Sequence, residues 1–144
     1  MKVTKVHEPE IILRKMNMIK DSLNIIKVGG AIVENEESLQ SLLMSLSSLK
    51  GKKILVHGGG KIATEMAARL GVETQMIDGR RITSAEMLKV VTMVYGGLVN
   101  KNLVARLQAL GVNAIGLTGA DLNLIMSVKR PVQPINFGYV GDIK

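Results

Sequence analysis

Three short stretches of this 144-residue chain carry residue types suited to handling an anion. In Ile25-Ile26-Lys27-Val28-Gly29-Gly30, a lysine sits inside an apolar β-type run that two glycines close. Ile54-Leu55-Val56-His57-Gly58-Gly59-Gly60 is a second apolar run, ending in three glycines. Asp78-Gly79-Arg80-Arg81 puts two guanidinium groups directly after a turn signal. Glycine lets a backbone approach a ligand and present its N–H groups, and a helix starting there adds partial positive charge. One such junction is a weak signal, because glycine at strand-to-helix turns is common. A third, at Gly116 and Gly119, would gather three on one edge of a sheet, where open α/β sheets bind ligands.

Each candidate has a bland reading beside the chemical one. Lysine is disfavoured within an apolar strand unless it has a partner. Lys27 is either on an edge strand with its ammonium snorkelling to water, or a cation that neutralises a phosphoryl group during transfer. The recurrence of glycine-bounded strands around it favours the second. Arg80 and Arg81 are either solvated surface or a fork for a carboxylate. His57, before a glycine run, is assigned a structural role bonded to local backbone. Asn100 and Lys101 are a helix-surface pair or part of a site. No His, Asp and Glu cluster has metal-ligand spacing, no Ser-His-Asp pattern occurs, and neither glycine junction is a GxGxxG fingerprint.

The elements that must hold these residues follow from periodicity. Residues 24–29 read as a buried strand, followed by a loop through Asn35. Leu39, Leu42, Leu43, Leu46 and Leu49 then mark the core face of a helix. Lys53–Val56 is a second strand, and Gly58–Gly60 lead into a helix ending near Gly71. Asp78-Gly79 predicts a small hairpin, and Thr83 with Glu86 a capping box. A long helix over 84–110 is interrupted by Gly96-Gly97, at roughly 1 kcal/mol each against alanine, so a close contact or kink is expected there. Asn113–Leu117 reads as a third strand, with further strands over Leu124–Val128 and Tyr139–Ile143. This alternation predicts an α/β fold, a three-layer αβα sandwich with a mainly parallel central sheet.

Composition narrows the function classes. The net charge of +7 admits nucleic acid, an acidic membrane surface or an anionic small molecule as partner. Two Tyr, one Phe and no Trp leave few platforms for stacking bases, which disfavours nucleic acid. No apolar run approaches the ~20 residues that cross a bilayer. The N-terminus lacks the uninterrupted apolar segment of a secretory signal, and cysteine is absent. A cytoplasmic location is expected. In residues 1–23, treated as an N-terminal extension, Ile12, Met16, Ile19 and Leu23 fall at helical spacing. They form either a helix that docks on a partner subunit or, the preferred reading, a poorly ordered leader.

Taken together, the motifs resemble the N-terminal half of the acetylglutamate kinases, within the amino acid kinase family. The carrying residues are Ile25–Gly30, Val56–Gly60, Asp78–Thr83, Asn100-Lys101, Gly116–Gly119 and Gly138–Asp142, in matching order and spacing. The resemblance covers residues 24–144, which it makes an acylglutamate-binding domain. It implies transfer of the ATP γ-phosphoryl, with Mg2+, to the side-chain carboxylate of N-acetyl-L-glutamate in arginine biosynthesis. Lys27 would then be catalytic. Gly59 and Gly60 would bind the acceptor, Arg81 its α-carboxylate, and Gly29 and Gly30 the phosphoryl side. Arg80 falls where the family often has an apolar residue. The resemblance also implies a homodimer through the long helix. Arginine-regulated relatives form hexamers through an N-terminal helix, which residues 9–23 resemble. A second, nucleotide-holding domain belongs to the family pattern, so the chain as given is expected to be a fragment without turnover. Alternatives are N-succinylglutamate as acceptor, another carboxylate-phosphorylating amino acid kinase, or a small-molecule binding domain without catalysis.

Overall fold

The computed structural model describes residues 2–5 and 23–144 of the chain. It divides into two compact units, residues 1–60 with 102–114 and residues 61–101 with 115–144. The extension over residues 1–23, read as a docking helix or, by preference, a poorly ordered leader, lies outside the described residues except for residues 2–5 and Leu23, which are in strands.

The first unit is built on a three-stranded parallel sheet in the order β1 (Lys2–Lys5), β2 (Leu23–Lys27), β3 (Lys52–Val56). The strand at the very start of the chain has no counterpart in the periodicity reading. Lys5, Lys27 and Val56 are paired across the sheet, so all three strands end at the same edge. The loop expected before Asn35 is instead a short helix, α1 (Gly30–Glu34). Asn35 caps the next helix, α2 (Glu36–Ser48), its side-chain oxygen accepting from the Ser38 N–H at 2.8 Å.

The leucine stripe performs as its spacing requires. Leu39, Leu42, Leu43, Leu46 and Leu49 are all buried, with Ile26 and Val28 of the β2 segment. Each contributes about 1.5–3 kcal/mol relative to leaving it exposed. Lys53 Nζ donates to the carbonyls of Leu46 and Leu49, which closes the end of α2. Burial pushes the Lys53 ammonium below the usual lysine range. Successive strand residues face opposite ways. Asn24, Ile26 and Lys53 therefore point to the covered side of the sheet, and Leu23, Lys27, Ile54 and Val56 to a side left open. In α5 (Asn100–Ala109), Arg106 donates to both carboxylate oxygens of Glu36, at 2.9 and 2.6 Å, and to Gln40.

The second unit carries α3 (Gly60–Arg69) from Lys61 onward and the hairpin of β4 (Gln75–Ile77) and β5 (Arg80–Ile82). Asp78 and Gly79 both have positive φ, 48° and 73°, which makes the expected turn a type I′. Helix α4 (Ala85–Val91) follows, capped by Ser84, whose hydroxyl accepts from the Met87 N–H at 3.1 Å. The capping residue is therefore Ser84 and not Thr83. Thr83 is otherwise engaged: its N–H donates to the Phe137 carbonyl and its own carbonyl accepts from Tyr139 N–H.

Helical backbone continues from α4 through Thr92–Val99, which is π-helical, into α5. Gly96 and Gly97 lie in that widened stretch. A Cβ on Gly96 would meet Thr118 Cγ2 at 3.0 Å, which accounts for the first glycine; nothing lies within 4 Å of the second. The strand expected at Asn113–Leu117 is not formed. Residues 112–118 join no ladder, and Ile115 is 82% exposed. The carbonyls of Gly116 and Leu117 are held by side chains instead, Lys101 Nζ at 2.8 Å and Asn100 Nδ2 at 3.3 Å. The last two strands are shorter than expected, β6 (Ser127–Lys129) and β7 (Gly141–Ile143), and pair antiparallel.

Candidate functional site

In the first unit, pairing of β2 with β3 brings two of the three glycine junctions together. Lys27 and Val56 are register partners, and the Val28 N–H donates to the Val56 carbonyl at 2.8 Å. Gly29-Gly30 and Gly58-Gly59-Gly60 therefore leave the sheet side by side at its carboxyl edge. Gly30 opens α1 and Gly60 opens α3. A helix leaves its first N–H groups without intrahelical acceptors, which suits an anion at that edge. Lys27 is the last residue of β2 and is exposed on the open side, so its ammonium needs no buried counter-charge. The third junction is not a strand end: residues 112–118 join no ladder, and Gly116 and Gly119 belong to the second unit.

His57 behaves as its structural reading requires. Its Nδ1 lies 3.0 Å from the Gly58 carbonyl oxygen. A carbonyl only accepts, so this contact puts the ring proton on Nδ1.

Arg81 belongs to the second unit, with its own surroundings. Its Nη2 donates to Thr64 Oγ1 at 3.0 Å, and its Nη1 to Met87 Sδ at 3.8 Å. A cavity of about 320 Å³ is lined by Arg80, Arg81, Thr83, Tyr95, Arg130 and Tyr139, among others. That volume lies at the lower end of the range of small-molecule sites. A second, of about 490 Å³, is lined by Asp78, Arg80, Arg130 and the apolar Pro131, Pro134, Ile135 and Phe137.

The sequence reading missed Arg130. It donates through both Nε and Nη2 to one oxygen of Asp142, and its guanidinium lies 5.8 Å from the centre of the Phe137 ring. The hydrogen bond from Arg130 holds the Asp142 carboxyl below its usual range, helped by the charges of Arg130 and Arg80. The same bond raises Arg130 above the ordinary arginine value. The residues are twelve apart and meet only because β6 pairs with β7, so no local spacing announces them.

Asn100 and Lys101 are more than helix surface. Asn100 is buried, and the pair holds the two carbonyls described above, with Lys101 Nζ also donating to Asn100 Oδ1 at 3.1 Å. The segment continues into an Asp121 turn, where the carboxylate accepts from the Thr118 N–H and hydroxyl. Those bonds, backbone first, hold Asp121 below the usual carboxylate range. Among the described residues no group of three or more His, Cys, Asp or Glu is placed to hold a metal ion. No helix among them is long and apolar enough to cross a membrane.

A parallel sheet with glycine junctions at its carboxyl edge is the arrangement in which open α/β folds bind ligands. Residues 22–144 match the amino acid kinase family, and the chain belongs to it. Within that family the chain is 65% identical over 126 residues to an acetylglutamate kinase of Phocaeicola vulgatus, covering 88% of this chain and 49% of that protein. Acetylglutamate kinases of Parabacteroides distasonis and Bacteroides thetaiotaomicron are 64% and 62% identical, over 86% and 88% of the chain and 49% of each relative. The chain thus spans about half the length of the curated relatives it matches. Among solved structures, smu.665 from Streptococcus mutans shares the fold, with a TM-score of 0.63 at 24% identity over 85% of this chain and 49% of that one.

Proposed function

We propose that this chain supplies the acceptor-side half of a kinase that phosphorylates the side-chain carboxylate of N-acetyl-L-glutamate, with ATP and its Mg2+ as co-substrate. The observation that carries the reading is the convergence of Lys27 with two glycine junctions at the carboxyl edge of adjacent parallel strands. An acceptor carboxylate oxygen attacks the γ-phosphorus while the bond to the β–γ bridging oxygen breaks, giving an acyl phosphate and ADP. There is little covalent work for a protein in such a step, so positioning and charge stabilisation dominate. The Lys27 ammonium neutralises the charge spread over the transferring phosphoryl oxygens. Gly59 and Gly60 hold the acceptor through backbone N–H groups, Gly29 and Gly30 lie on the phosphoryl side, and Arg81 grips the α-carboxylate.

The test is ATP-dependent acyl phosphate formation by the complete enzyme, trapped with hydroxylamine. Lys27→Ala is expected to lower kcat by about 10²-fold or more, the scale of losing one transition-state donor, with acceptor affinity little changed. Wild-type turnover by Lys27→Ala removes the assigned role. Binding of acylglutamate without any phosphorylation by the complete protein would favour a sensor domain.

One observation favours a larger acyl group. Arg80 lines the same cavity as Arg81 and, unlike Arg130, is not hydrogen-bonded to Asp142, although its charge acts on that carboxylate. A second cation beside the α-carboxylate fork suits an acyl group that ends in its own carboxylate, such as succinyl. Comparing kcat/KM for N-acetyl- and N-succinylglutamate, in wild type and Arg80→Leu, separates the two acceptors. The homodimer is proposed through the helix running from Ala85 to Ala109, which exposes Leu88, Met93 and Leu98.

A further inference from the structure

We infer that Thr64 is a positioning residue that aims the Arg81 guanidinium at the acceptor's α-carboxylate. The inference rests on the reading of Arg81 given above. Arg81 extends from β5, a three-residue strand of a two-stranded hairpin, and a long flexible side chain on so small a support does not aim itself. Its guanidinium is planar, with donors in a fixed fork, so holding one edge of the plane orients the rest. Thr64 Oγ1 holds the Nη2 edge at 3.0 Å from α3, and Met87 Sδ approaches Nη1 at 3.8 Å from α4.

Both supports are stiff. Thr64 is β-branched on a helix, which restricts its χ1. Met87 is fully buried, and its sulfur also accepts from Thr74 Oγ1 at 3.9 Å. Both of these groups are neutral, so they orient a guanidinium without themselves supplying a counter-charge. The contrast lies in the same unit, where Arg130 is oriented by the Asp142 carboxylate and its charge is balanced in the act. A threonine in the Asp142 role orients a guanidinium without itself supplying a counter-charge.

Thr64 lies on an exposed part of α3, so its replacement need not disturb the core. In the complete enzyme, Thr64→Val keeps the shape and removes the acceptor oxygen. Loss of a hydrogen bond to a charged group predicts roughly a tenfold rise in the acylglutamate KM, with kcat, the ATP KM and the melting temperature close to wild type. Thr64→Ser restores the oxygen and is expected to return the KM to within about twofold. Arg81→Ala is the control and is expected to raise the same KM further. An unchanged KM in Thr64→Val, with a raised one in Arg81→Ala, overturns the positioning role alone. An unchanged KM in Arg81→Ala overturns the fork reading and this inference with it. Equal losses in Thr64→Val and Thr64→Ser also overturn it, because they would report packing and not the oxygen.

Discussion

Arg130 gives two donors to one oxygen of Asp142, whereas Arg81 meets a hydroxyl and a thioether. The difference makes a prediction about acid. Asp142 titrates below its usual range in the folded chain, mainly through the Arg130 hydrogen bond. A carboxyl lowered by folding stabilises the native state fully above its unfolded pKa and loses that contribution as pH falls through the folded value. The melting-temperature gap between wild type and Asp142→Asn should therefore be present at pH 7 and shrink below about pH 4. A gap that stays constant down to pH 2.5 would show that ionisation of Asp142 contributes nothing to it. The same sign applies to Glu36, lowered chiefly by its bond from Arg106. Lys27 and Arg81 stand out as candidates in the sequence because their local context is unusual, a cation in an apolar strand and a guanidinium after a turn. Arg130 does not, because the context that gives it a partner is twelve residues away in sequence.

At the scale of elements, the paired glycines separate two causes that sequence alone merges. Gly97→Ala fills open space in a helical stretch and should stabilise by up to about 1 kcal/mol. Gly96→Ala puts a methyl against Thr118 Cγ2, so the same propensity gain should be offset or reversed. Thermal melts of the two single variants check this, and equal shifts would contradict the contact. Gly138 is a stronger case. Its φ is +72°, and a Cβ there would lie 2.2 Å from the Thr83 carbonyl oxygen. Gly138→Ala should cost at least about 2 kcal/mol, from left-handed backbone strain and the clash together. Denaturant unfolding reads it directly. The leucine stripe and the hairpin were readable because their signals are local. Asn113–Leu117 misled because a short apolar stretch says that a strand could form, not that a neighbour stands beside it. At Thr83 and Ser84 two capping-type residues adjoin, and only the pairing of Thr83 with residues 137 and 139 decides between them.

At the scale of the molecule, the chain carries half of what its relatives carry and a surplus of seven positive charges. On the proposed reading, these 144 residues alone produce no hydroxylamine-trappable acyl phosphate from ATP and N-acetylglutamate; turnover by them would require a nucleotide site within this chain. The proposed dimer makes its own prediction. Leu98→Glu, a charge on an exposed apolar position, should shift the molar mass measured by light scattering from two chains to one while leaving the helical signal intact. An unchanged mass would move the contact elsewhere. The parallel arrangement of β1 has a practical corollary. Lys2 pairs with Asn24 and Lys5 with Lys27, so the sheet's amino end holds residue 2 and its opposite end the glycines. A fluorophore or surface tether attached at the N-terminus would thus leave from the far rim of the sheet, and ligand could be titrated on an immobilised chain without the attachment crowding Lys27.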